Sequence, residues 1–278
     1  MKATHGWTGS LKVSDFIVDY LIKQKVAQVF VVAGGAIAHL LDSLYGRSDI
    51  ECVTMHHEQA AAFAAEAQSR VSGNIGVAMA TSGPGATNLI TGIGSAFFDS
   101  IPCLYITGQV NTYEYKFSKQ VRQAGFQEAD IVNIVKPITK YSMMIINANL
   151  VKYHLQKAIY IAKSGRPGPV LIDIPMDIQR AEMDVAKSDD YLQRANYDEV
   201  VNSNRREMPA DLTNVIEVAK KLIESSRRPV VLAGGGVRNA KATDELYDFI
   251  EKTRIPLVVS LMGLDAFPHE HPSYCGFV

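Results

Sequence analysis

Short apolar runs alternate with longer stretches of helical periodicity through most of the chain. Five runs are rich in apolar and β-branched residues, as parallel strands covered on both faces are, and they lie at Gln28–Ala33, Ile50–Met55, Ile75–Thr81, Pro102–Thr107 and Pro169–Asp173. The stretches between them predict helices at Val13–Gln24, Ile37–Tyr45, Glu58–Val71, Ala86–Phe98 and Leu150–Lys163. This alternation predicts an α/β fold in which a parallel sheet is flanked by helices.

The alternation stops after Pro175 and later begins again. Residues 184–208 are polar and have little periodicity, which predicts a linker between a first domain at 1–183 and a second at 209–278. The second domain is predicted to contain helices at Asp211–Ser225 and Ala240–Lys252 and strands at Pro229–Ala233 and Pro256–Ser260. Two strands bury little surface by comparison with a typical domain of ~100–150 residues. We therefore expect a second α/β domain that is truncated.

Composition restricts the class of partner. The chain has 28 Lys and Arg residues against 29 Asp and Glu residues, so its charge predicts binding to neither nucleic acid nor an anionic membrane. No apolar run is long enough to span a membrane, and the N-terminus has no apolar signal core. Cys52, Cys103 and Cys275 lack metal-ligand spacing, and the first two lie in apolar runs that predict buried free thiols. A cytoplasmic protein is expected.

Glu58 lies where the strand Ile50–Met55 passes into an alanine-rich helix. A carboxylate in a first helical turn interacts favourably with the helix dipole, typically by ~0.3–1 kcal/mol, so a purely structural role is one interpretation. The same position lies at the carboxyl end of a predicted parallel strand, where open α/β sheets bind ligands. The small residues that follow would let another group pack closely.

A glycine-rich turn, SGPGATN, follows the strand Ile75–Thr81. Gly83 and Gly85 allow close approach to the backbone, Pro84 stiffens the turn, and Asn88 offers a side-chain amide. Such turns often bind phosphate, yet this one lacks the Lys-Ser/Thr ending of a P-loop and the full G-x-G-x-x-G of a dinucleotide site. By itself the pattern is weakly specific.

Taken in order, these blocks resemble one family. The resemblance to the pyrimidine-binding domain of the thiamine-diphosphate-dependent acetolactate synthases and their relatives rests on VAGGAIAHLLDSL, HHEQAAAFAAEA, ATSGPGATNLITGI, FFDSIPCLYITGQV, GFQEADIV and SGRPGPVLIDIP. It extends from Val13 to Pro175. A later block, RRPVVLAGGGVRNAKATDEL, resembles the start of that family's central domain.

The resemblance implies roles for individual residues. Glu58 matches the glutamate that hydrogen-bonds the pyrimidine ring and activates the cofactor, and burial would favour the protonated carboxyl that this requires. Four further residues match positions that shape the pyrimidine pocket, and they are Gly34, Thr81, Pro84 and Asn88.

Three more matches concern the substrate and a second cofactor. Phe126 and Gln127 match residues that approach the reacting carbon and its substrate, Gln127 being assigned a catalytic role and Phe126 a substrate contact. Arg166 matches an arginine that contacts FAD in flavin-containing members, although an ordinary helix-to-strand turn explains it equally well.

The family holds the diphosphate and Mg²⁺ in a further domain with a Gly-Asp-Gly…Asn motif, which these residues lack. We therefore expect the isolated chain to be inactive and to need that domain, as later sequence or as a separate subunit. In this family the active site lies between subunits, which implies a homodimer or tetramer. A regulatory or second catalytic subunit is a further implied partner.

Departures from the family pattern surround the expected substrate site. Val32 and Ala33 stand where the family usually has Tyr-Pro, Arg-Gln-Ala at 122–124 replaces Gly-Thr-Asp, and Met176 replaces a common lysine. The segment between Gly108 and Gln127 is several residues longer and carries aromatic and basic residues. These changes indicate either drift in a surface loop or a different acceptor substrate.

The leading hypothesis is the N-terminal part of a carboligase. Pyruvate or another 2-oxo acid would lose CO₂, and the two-carbon unit would pass to a carbonyl acceptor: a second 2-oxo acid, a keto-sugar or an aldehyde. Two alternatives stay open. One is a 2-oxo acid decarboxylase of the same superfamily, and the other is a non-catalytic fragment that only dimerises or binds a partner.

Overall fold

The computed structural model describes residues 9–193 and 211–278. The chain divides into two compact units, Met1–Arg205 and Arg206–Val278. Six strands of the first unit form a parallel sheet. The strands of this unit are β1 Ser10–Lys12, β2 Gln28–Val31, β3 Glu51–Thr54, β4 Gly76–Ala80, β5 Cys103–Gln109, β6 Tyr141–Met144, β7 Val170–Pro175 and β8 Glu182–Asp184. The order in the large sheet is β3-β2-β4-β5-β7-β6, while β1 and β8 form a separate antiparallel pair.

Helices cover both faces of this sheet. They are α1 Val13–Lys23, α2 Ala38–Leu44, α3 Glu58–Ser72, α4 Pro84–Asn88, α5 Ile90–Phe98, α6 Ile131–Val135, α7 Val151–Lys163 and α8 Met176–Gln179. Alternate residues of each strand point to opposite faces. Met79 and Ile106 therefore pack in the cluster formed with α1, α2 and α7, whereas Ala78 and Tyr105 pack with α3, α5 and α6. The predicted parallel sheet flanked by helices is confirmed.

Two predictions for this unit were wrong in detail. The segment Ala86–Phe98 forms two helices that begin earlier, at Pro84, and are separated at Leu89. The strand β3 lies at an edge of the sheet, so Cys52 is exposed and is not the buried thiol that its apolar neighbours predicted. Cys103, on the central strand β5, is buried as expected.

The second unit contains a smaller parallel sheet of three strands. Its strands are β9 Val231–Ala233, β10 Leu257–Val259 and β11 Tyr274–Phe277, and its helices are Leu212–Ser225, Gly236–Asn239 and Thr243–Thr253. The core is formed by Ala233, Ile250, Leu257, Val259 and Phe267. Strand β11 was not predicted.

The beginning of the predicted linker is folded. Val185 and Tyr191 are buried, while residues 194–208 of that prediction lie outside the described residues. Within the described ranges no helix combines the length and apolar character needed to cross a membrane.

Very small residues bring α3 close to its neighbours. Ala62 and Ala65 are fully buried on the inner face of α3. A Cβ added to Gly76 at the start of β4 would lie 1.8 Å from the carbonyl oxygen of Ala65, and one added to Gly92 in α5 would lie 2.4 Å from the Cβ of Ala62. These contacts leave no room for even one methyl group, so they fix the position of α3 against the sheet.

We predict that Gly76→Ala lowers the free energy of unfolding by about 3 kcal/mol or more, because the new methyl group meets backbone atoms that cannot rotate away. Gly35→Ala is the matched control, since an added Cβ there meets nothing within 4 Å. Its effect should stay within about 1 kcal/mol. Urea unfolding of both variants measures the difference, and equal stabilities would show that α3 can move.

Candidate cofactor site

Three predicted site residues lie where adjacent parallel strands end. Gly34 follows β2, Glu58 follows β3 as the first residue of α3, and Thr81 follows β4. Since β3, β2 and β4 are neighbours in the sheet, their carboxyl ends meet at one edge. Open α/β sheets bind ligands at this edge.

The Glu58 side chain points to the neighbouring glycine-rich turn. His57 caps α3 through its Nδ1, which accepts a hydrogen bond from the backbone N–H of Gln59 (3.1 Å). Glu58 is buried, with an exposed fraction of 9%, and its Oε2 accepts a hydrogen bond from Nδ2 of Asn88 (2.9 Å). Glu58 is thus held by a residue thirty positions away, and the burial expected for this carboxyl is confirmed.

Thr81 is packed between two glycines. A Cβ added to Gly34 would lie 2.4 Å from the Cβ of Thr81, and one added to Gly85 would lie 2.7 Å from its Cγ2. The Thr81 hydroxyl also accepts a hydrogen bond from the N–H of Ala36 (3.1 Å). These contacts join the loop after β2 to the loop after β4.

Gly85 lies between Thr81 and the Glu58 carboxyl group. A Cβ at Gly85 would lie 3.3 Å from Oε1 of Glu58, so any larger residue would crowd that oxygen. Gly85 was recognised in the sequence only as permitting close approach. The structure shows that one of the groups close to Gly85 is the Glu58 carboxylate.

Gln127 meets the same turn from the other side. A Cβ added to Gly83 would lie 2.6 Å from the carbonyl oxygen of Gln127 and 2.8 Å from its Cβ. Both residues have positive φ, 59° for Gly83 and 56° for Gln127. Phe126 precedes Gln127 and is highly exposed, at 81%. Pro84 connects Gly83 to Gly85. Seven predicted site residues therefore either contact one another through this turn or lie next in sequence to a residue that does, and they are Gly34, Glu58, Thr81, Pro84, Asn88, Phe126 and Gln127.

Arg166 lies elsewhere. It precedes β7, and its Nε donates to Oγ of Ser100 (2.6 Å), which precedes β5. Both residues therefore lie at the amino ends of the parallel strands, whereas Glu58 lies at their carboxyl ends. A groove of about 360 Å³ beside Arg166 is lined by Phe97, Phe98, Lys140 and Pro167.

The buried acid Asp173, on the central strand β7, was not predicted as a functional residue. Asp173 near the end of β7 accepts hydrogen bonds from Oγ1 of Thr107 (2.7 Å) and Nε2 of Gln109 (2.9 Å). Gln109 also donates to the carbonyl oxygen of Ala129 (2.8 Å). Burial raises the pKa of Asp173 to about 7, although the two side-chain hydrogen bonds oppose the shift. A polar residue inside the apolar run VLIDIP was the available signal.

The described residues were also compared with the side-chain arrangements that bind metal ions. Across residues 9–193 and 211–278, no group of three or more His, Cys, Asp and Glu side chains is arranged to hold a metal ion. Asp173 itself is engaged by Thr107 and Gln109.

The chain is similar to known proteins in both units. Residues 11–134 match the family described as thiamine pyrophosphate enzyme, N-terminal TPP binding domain. Residues 216–278 match the family described as thiamine pyrophosphate enzyme, central domain. The chain therefore belongs to the thiamine pyrophosphate enzyme family.

Its relatives narrow the branch of the family. The chain is 42% identical over 248 residues to the acetolactate synthase large subunit of Corynebacterium glutamicum, covering 89% of this chain and 37% of the relative. It is 40% identical over 268 residues to the probable acetolactate synthase large subunit of Methanocaldococcus jannaschii, covering 96% and 43%. Isozyme 3 of the large subunit in Escherichia coli is 35% identical over 270 residues, covering 95% and 44%. The chain thus spans about two fifths of the length of these relatives.

We predict that Asp173→Asn reduces the pH dependence of stability. The folded pKa of about 7 lies above the usual aspartate value of 3.8, so the folded state binds more protons than the unfolded state between these two pH values. Stability from this group is therefore full at low pH and falls as pH rises towards 7, by at most about 4 kcal/mol. Asparagine removes the titration and can still accept from Gln109 and donate to Thr107.

Urea unfolding at pH 5 and pH 8 measures this effect. We expect the change in unfolding free energy between the two pH values to shrink in Asp173→Asn. Asp42→Asn is the control, because Lys12 holds the pKa of the exposed Asp42 below its usual value and the group stays ionised throughout that range. An identical pH slope in the native chain and Asp173→Asn would contradict the prediction.

Proposed function

We propose that this chain supplies the pyrimidine-binding side of a thiamine-diphosphate-dependent carboligase that acts like acetolactate synthase. The observation that carries the proposal is the buried Glu58 carboxyl, held by Asn88 and bordered by Gly85 and Thr81 at the carboxyl edge of the sheet. A Cβ at residue 85 would lie 3.3 Å from Oε1 of Glu58, so glycine at this position keeps any side chain away from that oxygen.

The residues of the site would divide the work. Glu58 would hold a proton or a hydrogen bond at the pyrimidine ring nitrogen, and Asn88 would keep its carboxyl turned to the pocket. Gly34, Thr81 and Pro84 would form the walls. Bound thiamine diphosphate supplies the carbon nucleophile and the electron sink for decarboxylating a 2-oxo acid. Gln127, which lies against Gly83, and Phe126, which precedes it, would contact that substrate.

Full activity would need a region that holds the diphosphate and Mg²⁺. Mg²⁺ prefers carboxylate and phosphate oxygens in octahedral geometry. The 278 residues alone would therefore be inactive, and the complete site would form in a homodimer or tetramer, with a regulatory or second catalytic subunit as a further partner. FAD would bind away from Glu58, with its anionic part near Arg166. We place the protein in the cytoplasm because its thiols are free.

The acceptor is proposed to be a second molecule of pyruvate or another 2-oxo acid. The similarity to acetolactate synthase large subunits favours carboligation over simple decarboxylation. The longer, basic segment before Gln127 supports an alternative acceptor, a keto-sugar or an aldehyde. Product analysis separates these outcomes. A 2-oxo acid acceptor gives a hydroxy-oxo acid, a keto-sugar gives a branched sugar, and an aldehyde gives a hydroxy-ketone, whereas simple decarboxylation releases acetaldehyde.

We predict that Glu58→Gln lowers CO₂ release from pyruvate by about 10²–10⁴-fold, because an amide cannot give up or take back a proton as a carboxyl does. The assay uses the protein together with its diphosphate-binding region, thiamine diphosphate and Mg²⁺. Glu51→Gln is the matched control, since Glu51 is exposed on β3 and accepts from Gln28.

Two results would contradict the proposed function. One is CO₂ release that does not depend on added thiamine diphosphate. The other is full activity in Glu58→Gln. Thermal unfolding of the variant, compared with the native protein, excludes loss of activity through loss of fold.

A further inference from the structure

The segment 111–127, which differs most from the family pattern, has its two limbs joined by the carboxylate of Glu128. Glu128 directly follows this segment and is buried, with an exposed fraction of 9%. Its Oε1 accepts a hydrogen bond from the backbone N–H of Lys116 (3.2 Å). Its Oε2 accepts from the N–H groups of Ala124 (2.8 Å) and Gly125 (3.1 Å). The carboxylate thus joins the outgoing and the returning limb of the loop.

The outer part of the loop is also bridged by Lys116, whose Nζ donates a hydrogen bond to the carbonyl oxygen of Arg122 (3.1 Å). Residues 117–124 are all exposed. The near limb is anchored where Thr112 donates through its N–H to Oδ1 of Asp177 (2.9 Å) and through its hydroxyl to Oδ2 (2.5 Å). The returning limb enters the fold at Gly125, where an added Cβ would lie 2.8 Å from the side chain of Val110. Hydrogen bonds to a carboxylate are stronger than neutral ones, so Glu128 is the main polar anchor of this limb.

The returning limb carries Phe126 and Gln127, and Gln127 lies against Gly83 of the glycine-rich turn. Gln127 has a φ of 56°, a conformation that side-chain-bearing residues adopt only when their surroundings impose it. On one side it is confined by Gly83. On the other side Glu128 fixes the N–H groups of Ala124 and Gly125, so the backbone between these two contacts has little freedom.

We propose that Glu128 is a positioning residue, whose buried carboxylate fixes the 111–127 loop so that Gln127 stays against Gly83 of the glycine-rich turn, with Phe126 next to it in sequence. The effect on catalysis rests on the function proposed above. The effect on the loop does not, because it concerns this chain alone.

Limited proteolysis of the native chain and of Glu128→Gln tests the proposal. The loop contains three trypsin sites, after Lys116, Lys119 and Arg122. Glutamine keeps one acceptor oxygen but turns an N–H₂ group towards the amides that the second oxygen bound. We expect cleavage after Lys119 and Arg122 to accelerate about tenfold or more, while cleavage after the exposed Lys187 changes less than about twofold.

Glu182→Gln is the control, because Glu182 is exposed and accepts a hydrogen bond from Ser10. Unchanged loop cleavage in Glu128→Gln would overturn the proposal, and so would equal acceleration at all sites, which indicates general unfolding. If Glu128→Gln does not fold, amide hydrogen exchange of the native chain decides. The N–H groups of Ala124 and Gly125 should then exchange about tenfold more slowly than those of Ser118 and Gln123, and equal rates would overturn it.

A kinetic measurement on the protein with its diphosphate-binding region separates positioning from cofactor binding. Glu128→Gln should lower kcat by about tenfold or more, while the Kd of thiamine diphosphate changes less than about twofold because the Glu58 pocket is untouched. An unchanged kcat, or a fall in cofactor affinity that accounts for the loss, would overturn the catalytic part. If native protein shows no cofactor-dependent CO₂ release, the proposed function fails, and the proteolysis result still decides the role of Glu128 in the loop.

Discussion

The close packing of α3 against β4 and α5 is the constraint on which the candidate site depends. Ala62 and Ala65 contact neighbouring elements at distances that only glycine at 76 and 92 allows. Because α3 packs directly on β4 and α5, its first residue lies beside the SGPGATN turn, and Nδ2 of Asn88 reaches the Glu58 carboxyl. A polar contact between distant parts of the chain therefore rests on an apolar arrangement of methyl groups.

The central strands could be predicted because they are buried on both faces and therefore almost wholly apolar. Strand β6 escaped prediction for the opposite reason, since it lies at the sheet edge and its residues are only partly buried. The short pair of β1 and β8 is set by a contact between the two ends of the first unit, which no local pattern encodes. The break at Leu89 was also hidden, because apolar periodicity continues through both helices.

Some residues of the candidate site could likewise be predicted from the sequence, and others could not. Glu58, Thr81 and Asn88 stand in ordered motifs, so the sequence pointed to them before any distance was known. The roles of Glu128 and Asp173 become visible only through their burial and their hydrogen-bond partners, although Asp173 is a polar residue inside an apolar run. Glu128 binds backbone N–H groups, and because nearly every residue type has one, the sequence does not show which of them it binds. Arg166 shows the converse, since its motif could be read from the sequence while its distance from Glu58 along the sheet could not.

The left-handed backbone of Gln127 has a consequence for protein engineering. Glycine is the residue that adopts this conformation without strain, and the strain of another residue costs about 1–3 kcal/mol. A search for more stable variants would therefore favour glycine at this position and would delete the only side chain there. Under the role proposed for Gln127, selection for stability alone would therefore remove a side chain that the proposed chemistry needs.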